Sequence, residues 1–103
     1  MMREARVFNY GHYAGKLIEI EQNQYQFVYD DQYNGPPVSL TMPVAKKEFS
    51  YSQFPPFFDG LLPEGMLLEA LLKSAKIDRK DYFLQLITVG KDLVGSVTVE
   101  GSV

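Results

Sequence analysis

The chain reads as an α+β domain: a small antiparallel sheet, a meander plus a C-terminal closing strand, packed against about three helices. Three observations predict this. Apolar residues alternate with a period of two through much of the first half. In the second half they recur at spacings of three and four. A segment rich in valine and threonine then returns at the end.

The elements follow in order. Residues 5–9 form a short first strand, and Gly11 and Gly15 bracket His12, Tyr13 and Ala14 as a turn. Residues 16–21, with Leu17, Ile18 and Ile20, form the second strand. The polar residues 21–24 reverse the chain. Tyr25, Phe27 and Tyr29 then alternate with Gln24, Gln26 and Val28, the clearest strand signal present. Residues 30–37 hold Asp-Asp, Asn-Gly and Pro-Pro and form a loop. Val38, Leu40 and Met42 alternate again until Pro43 stops them, and residues 47–51 form a further short strand.

Pro55 and Pro56 bar a strand but allow a helix to start, with Phe54, Phe57, Phe58 and Leu61 buried. The second helix runs from about Pro63 to Ala75 or Lys76, with the proline in its first turn. Asp78 is placed to cap a third helix, and Asp81 then favours its positive end. Tyr82, Phe83, Leu86 and Val89 continue at helical spacing to a stop at Gly90. Residues 94–100 close the sheet. With no internal repeat, linker or low-complexity tract, residues 1–103 are expected to form a single domain.

Composition narrows the function classes. Apolar residues make up 46% of the chain, and the seven Phe and seven Tyr argue against disorder. The net charge of −3 lacks the footprint of an autonomous nucleic-acid binder. Lys46-Lys47 and Arg79-Lys80 are short pairs that read as solvated surface. The absence of cysteine excludes disulfide scaffolds, thiol nucleophiles and thiolate metal sites, and it fits a cytoplasmic location. No stretch approaches the length of a membrane span, and the N-terminus has no signal-peptide core.

No chemistry-bearing constellation emerges, so no catalytic, cofactor or metal site is expected. His12 is the lone histidine and has no companion for a metal or a triad. Asp30-Asp31 lacks the further oxygens that a hard cation needs. Glu64 suits the positive end of a helix. Gly90-Lys91-Asp92 follows a helix rather than a strand, so it lacks phosphate-loop geometry.

Two runs carry a family resemblance. Phe57-Phe58-Asp59-Gly60-Leu61-Leu62-Pro63-Glu64-Gly65, followed by a leucine helix, resembles the N-terminal subdomain of HipA-type serine/threonine kinases. Leu86-Ile87-Thr88-Val89-Gly90-Lys91-Asp92-Leu93-Val94-Gly95-Ser96-Val97 is similar to that family's run of hydrophobic, Gly, x, Asp, x, x, Gly, small, Val. Gly15 before a strand, Phe27-x-Tyr29 and Val38-Ser39-Leu40 before Met42-Pro43 agree in outline.

In that family the nucleotide loop, catalytic acid and metal ligands lie beyond this subdomain. The resemblance therefore implies a non-enzyme similar to HipS, the antitoxin of three-component systems. Its implied partners are a HipT-like kinase toxin and, in a ternary complex, a HipB-like helix-turn-helix repressor. Direct binding of nucleic acid or membrane is not expected. The Met1 start and the end at Val103 favour a complete small protein over a fragment of a longer kinase. A generic peptide-binding module that accepts a strand at its sheet edge is the third reading.

Inhibition by occlusion would place the antitoxin near the kinase's active cleft. Leu62, Pro63, Glu64, Met66 and Leu67 are the expected partner-binding residues. Relatives are expected to insert a bulky group, often tryptophan, near this corner. This chain has no tryptophan, and Met66 is the flexible apolar substitute.

Overall fold

The computed structural model describes residues 2–101. Five strands form one sheet in the order β4-β3-β2-β1-β5, with every neighbouring pair antiparallel. They are β1 (Arg3–Asn9), β2 (His12–Glu21), β3 (Gln24–Tyr29), β4 (Glu48–Tyr51) and β5 (Val97–Gly101). Three helices, α1 (Pro56–Asp59), α2 (Gly65–Ala75) and α3 (Tyr82–Val89), lie between β4 and β5 in sequence. This is the expected α+β arrangement, a meander closed by the C-terminal strand.

The period of two places large side chains in rows. Ala5, Leu17, Phe27 and Phe49 stand opposite one another across four strands. All four are buried, together with Phe58 of α1 and Phe83 and Leu86 of α3. The opposite face is solvated and carries ion pairs of Arg6 with Glu100 at 3.6 Å and Lys16 with Glu4 at 3.8 Å.

Arg3 ties the sheet to α3. Its guanidinium donates to Glu19 on β2 at 2.6 and 2.9 Å, and to Asp81 at 2.9 Å. Asp81 caps α3 by accepting the Leu84 N–H at 3.1 Å. Burial alone would push the Asp81 carboxyl up, but the Arg3 bond, the Leu84 N–H and the Arg3 charge together hold it below its ordinary value.

Several expectations need correction. The first reversal is the two-residue turn Tyr10–Gly11, with φ of 52° and 81°, and β2 starts at His12. Gly15 lies inside β2 between Val7 and Tyr29. A Cβ there would stand 2.2 Å from the Val28 carbonyl oxygen, so its role is close approach rather than turning.

The alternation of Val38, Leu40 and Met42 is not a strand. Val38 and Met42 are buried and Leu40 is 95% exposed, but Tyr29 satisfies their backbone. Its hydroxyl accepts from the Val38 N–H at 3.0 Å and donates to the Met42 carbonyl at 2.5 Å. One buried phenol thus replaces a ladder partner.

Pro63 stands before α2, not in its first turn. Glu64 is the extended N-cap, and Gly65 at φ 59° turns the chain into the helix. Asp81 rather than Asp78 caps α3; Asp78 accepts the Lys80 N–H at 2.7 Å in the preceding turn. Gly90 ends α3 in a right-handed conformation, so no left-handed glycine stop operates. A Cβ on it would meet the Val99 carbonyl oxygen at 1.9 Å. The closing strand begins at Val97, because the loop before it turns through Gly95 at φ 108°. Phe54 and Phe58 are buried as expected, whereas Phe57 and Leu61 are only half-buried.

A candidate protein-docking groove

The apolar corner is built from α1, α2 and the loop before β5. Phe58 anchors α1, its ring 5.9 Å from that of Phe27. The chain then continues as turns, the Leu61 and Leu62 N–H groups donating to the Phe58 and Asp59 carbonyls at 3.1 Å each. Pro63 follows, and its ring biases Leu62 away from further helix. α2 leaves from there with Leu67, Leu68, Leu71 and Leu72 at helical spacing.

No residue of α2 is fully buried, and Leu68, Leu71 and Leu72 are half-buried. Met66 is 89% exposed and Leu67 is 74% exposed. Between α2, the corner and the loop after α3 lies a groove of about 490 Å³. Its walls include Leu61, Leu62, Pro63, Leu67, Leu71 and Leu93, and among the described residues Asp92 is its one ionisable lining group. Val94, 94% exposed, stands on the same rim. An apolar concavity of this kind is suited to burying further apolar surface.

The structure divides the five expected partner-binding residues. Leu62, Pro63 and Leu67 line the groove. Met66 stands beside Leu67 with its side chain in solvent. Glu64 lines a separate, more polar depression with Arg79 and Gln85 on the other flank of the corner, which Leu62 and Pro63 also border.

Leu71, Leu93 and Val94 were missed as groove residues. Leu71 sits four positions after Leu67, so helical spacing carried that signal. Leu93 and Val94 lie in the loop after α3 and reach the groove only through the fold. His12, the lone histidine, is exposed and lines a different cleft. Among the described residues, no cluster of His, Cys, Asp or Glu is arranged to hold a metal, and no helix is long and apolar enough to cross a membrane.

Comparison with known proteins gives this geometry its context. The family model for the HipA N-terminal domain matches residues 5–100. A Haemophilus influenzae protein described as uncharacterized is 32% identical over 100 residues, covering 97% of this chain and 93% of that protein. The putative kinase Y4dM of Sinorhizobium fredii is 32% identical over 103 residues, covering 90% of this chain. This chain spans only 25% of that protein's length. A solved structure, the N-terminal domain of HipA toxin, superposes with a TM-score of 0.77 at 28% identity. That likeness covers 98% of this chain and 93% of the other. The chain belongs to the HipA N-terminal domain family.

Proposed function

With that family as the premise, we propose that this chain is a non-enzymatic antitoxin that binds and neutralises a HipT-like serine/threonine kinase in the cytoplasm. The observation that carries the reading is α2: a helix with a leucine-rich face, alongside an apolar groove, that buries no residue of its own. Helices of small domains usually owe their stability to packing an apolar face. A helix left open in this way is suited to complete its packing on a partner.

Docking through Leu62, Pro63, Met66 and Leu67 would set the corner against the kinase's active cleft and block its closure. Glu64, on the other flank, would meet the edge of that interface. A HipB-like repressor would join as a third component, supplying the DNA contact that this acidic chain is not built for.

The test is co-expression with a HipT-like kinase, followed by affinity capture. The intact chain should restore growth and co-purify with the kinase. Met66→Asp with Leu67→Asp should lower the affinity by roughly tenfold or more, as hot-spot substitutions do. Growth arrest despite full antitoxin expression would sink the proposal.

One observation favours a second reading, in which the domain is the regulatory N-terminal part of a longer kinase. The putative kinase Y4dM contains a matching region within a protein about four times as long. The same groove would then pack on a kinase domain of its own chain. An in-frame kinase continuation after Val103 would establish that reading; a separate kinase gene would support the first.

A further inference from the structure

A second cleft, of about 550 Å³, lies between the β1–β2 turn and the loop following β3. Its lining includes Asn9, Tyr10, His12, Tyr13, Asp30 and Tyr33. Three features of it bear on what it could hold. Asn9 is 2% exposed, and its Nδ2 donates to the Tyr33 hydroxyl and the Pro36 carbonyl, each at 3.1 Å. Its Oδ1 is buried and has no hydrogen-bond partner among the described residues. A buried acceptor left in that state is destabilising until a donor reaches it.

Asp30 is half-buried; its carboxylate accepts the Gln32 N–H at 3.2 Å, and none of the ion pairs among the described residues involves it. Its neighbour Asp31 is the one that pairs with Lys47, at 3.2 Å. Tyr10 has φ 52° yet is 70% exposed, so neither turn preference nor core packing accounts for a tyrosine there. Tyr13 forms a further wall. Burial first, and then the Asp30 charge, push its hydroxyl pKa up.

We propose that this cleft is a binding site for a guanidinium group, either free or on an arginine side chain. The lining offers the Asp30 carboxylate as an acceptor, the Asn9 amide whose buried oxygen lacks a partner, and three tyrosines, Tyr10, Tyr13 and Tyr33. A guanidinium is planar, carries five donors and no acceptor, and stacks on aromatic rings. A compact ammonium would serve the carboxylate but make poorer use of the tyrosine rings. The Tyr10 N–H donates to the Ser96 carbonyl at 2.8 Å, joining the cleft to the loop that carries Leu93 and Val94 of the apolar groove. The site does not depend on the antitoxin reading, since its probe is arginine itself.

The test is titration of the full chain with Nα-acetyl-arginine amide, followed by backbone amide NMR. The neutral isostere Nα-acetyl-citrulline amide and the peptide Gly-Arg-Gly run in parallel. Shifts should concentrate in residues 9–13 and 30–36, with citrulline binding at least roughly tenfold more weakly. Tighter binding of the peptide identifies a polypeptide source; equal binding identifies the free group. Asp30→Asn, which keeps an acceptor for the Gln32 N–H, should lower arginine affinity by roughly tenfold. Tyr10→Ala, at an exposed position, should lower it about threefold and carries the test if the first variant misfolds. Absence of saturable shifts, equal binding of citrulline, or unchanged affinity in the folded variants would overturn the proposal.

Discussion

α2 and α3 are both leucine-bearing helices of similar amphipathic character, yet the fold treats them in opposite ways. α3 buries Phe83 and Leu86 in the core, buries Gln85 whose Nε2 donates to the Asp78 and Arg79 carbonyls, and is capped by Asp81. α2 has no buried residue and no side-chain cap, and it ends on Lys76 in a left-handed conformation. Contact with the closing strand explains much of this. The Val99 N–H donates to the Gly90 carbonyl at 2.9 Å, locking α3 beside β5. Among the described residues α2 has no such backbone bond to a strand, and its ion pair, Glu69 with Arg79 at 2.7 Å, is exposed. The contrast teaches that an apolar helical stripe marks a surface requiring cover, without saying which molecule supplies it.

This contrast can be broken by mutation, and the effects on stability should descend in a definite order. Leu86→Ala should be the most severe. It removes a fully buried side chain and should cost about 2–5 kcal/mol, read as a large fall in melting temperature. If it costs less than Leu67→Ala, α3 is not the structural helix of the pair.

Asp81→Ala comes next. It removes the α3 cap, worth about 0.5–2 kcal/mol, and a partly exposed pair with Arg3 that adds at most about 1 kcal/mol. Its pH dependence has a definite sign. The folded-state carboxyl is held below its ordinary value, so its contribution is full above about pH 4 and is lost as the pH falls through the folded-state value. Denaturation curves of wild type and variant should therefore converge in acid. The Arg3 guanidinium is shifted upward, chiefly by Glu19 and then Asp81, and stays charged throughout, so it adds no pH dependence of its own.

The alkaline limb offers a complementary reading. Burial, and then the charge of Glu19, push the Tyr25 hydroxyl up to about 12. A raised tyrosine favours the folded state below its unfolded value near 10, and this support is lost as the pH rises from there towards 12. Tyr25→Phe should flatten that decline in a melting-temperature series.

Met66→Asp with Leu67→Asp should have the smallest effect, within about 0.5 kcal/mol, because both side chains already face water. The same pair should disrupt kinase capture. A large stability loss here would show that α2 packs on its own domain. Amide exchange sharpens the point: α2 should exchange faster than α3 in the free chain and become protected on binding the kinase.

Much of the fold was legible in residue pattern. Tyr25, Phe27 and Tyr29 announced β3 because a strand sends alternate side chains to opposite faces. Asp30 to Pro37 announced a loop through its turn chemistry. The misreadings have a common origin. Val38, Leu40 and Met42 carried a true alternation of burial, but Tyr29 supplied the hydrogen bonds that a neighbouring strand would have made. Gly15 and Gly90 looked like punctuation, whereas each is small because a carbonyl from another strand lies against it. Within the groove, Leu62, Pro63 and Leu67 were readable from their own run. Leu93 and Val94 were not, because they arrive from a different segment.

By itself, the sequence determined the strand and helix periodicities, the antiparallel α+β class and the apolar character of the corner. These depend on the intrinsic geometry of local backbone and on side chains close together in the chain. Only the tertiary structure decided that α3 is covered and α2 is not, and that Asn9 and Asp30 share a cleft with Tyr10. Those outcomes depend on which strands pair and which segments they bring together. Burial and electrostatic contact act between residues near in space, at whatever separation they stand in sequence.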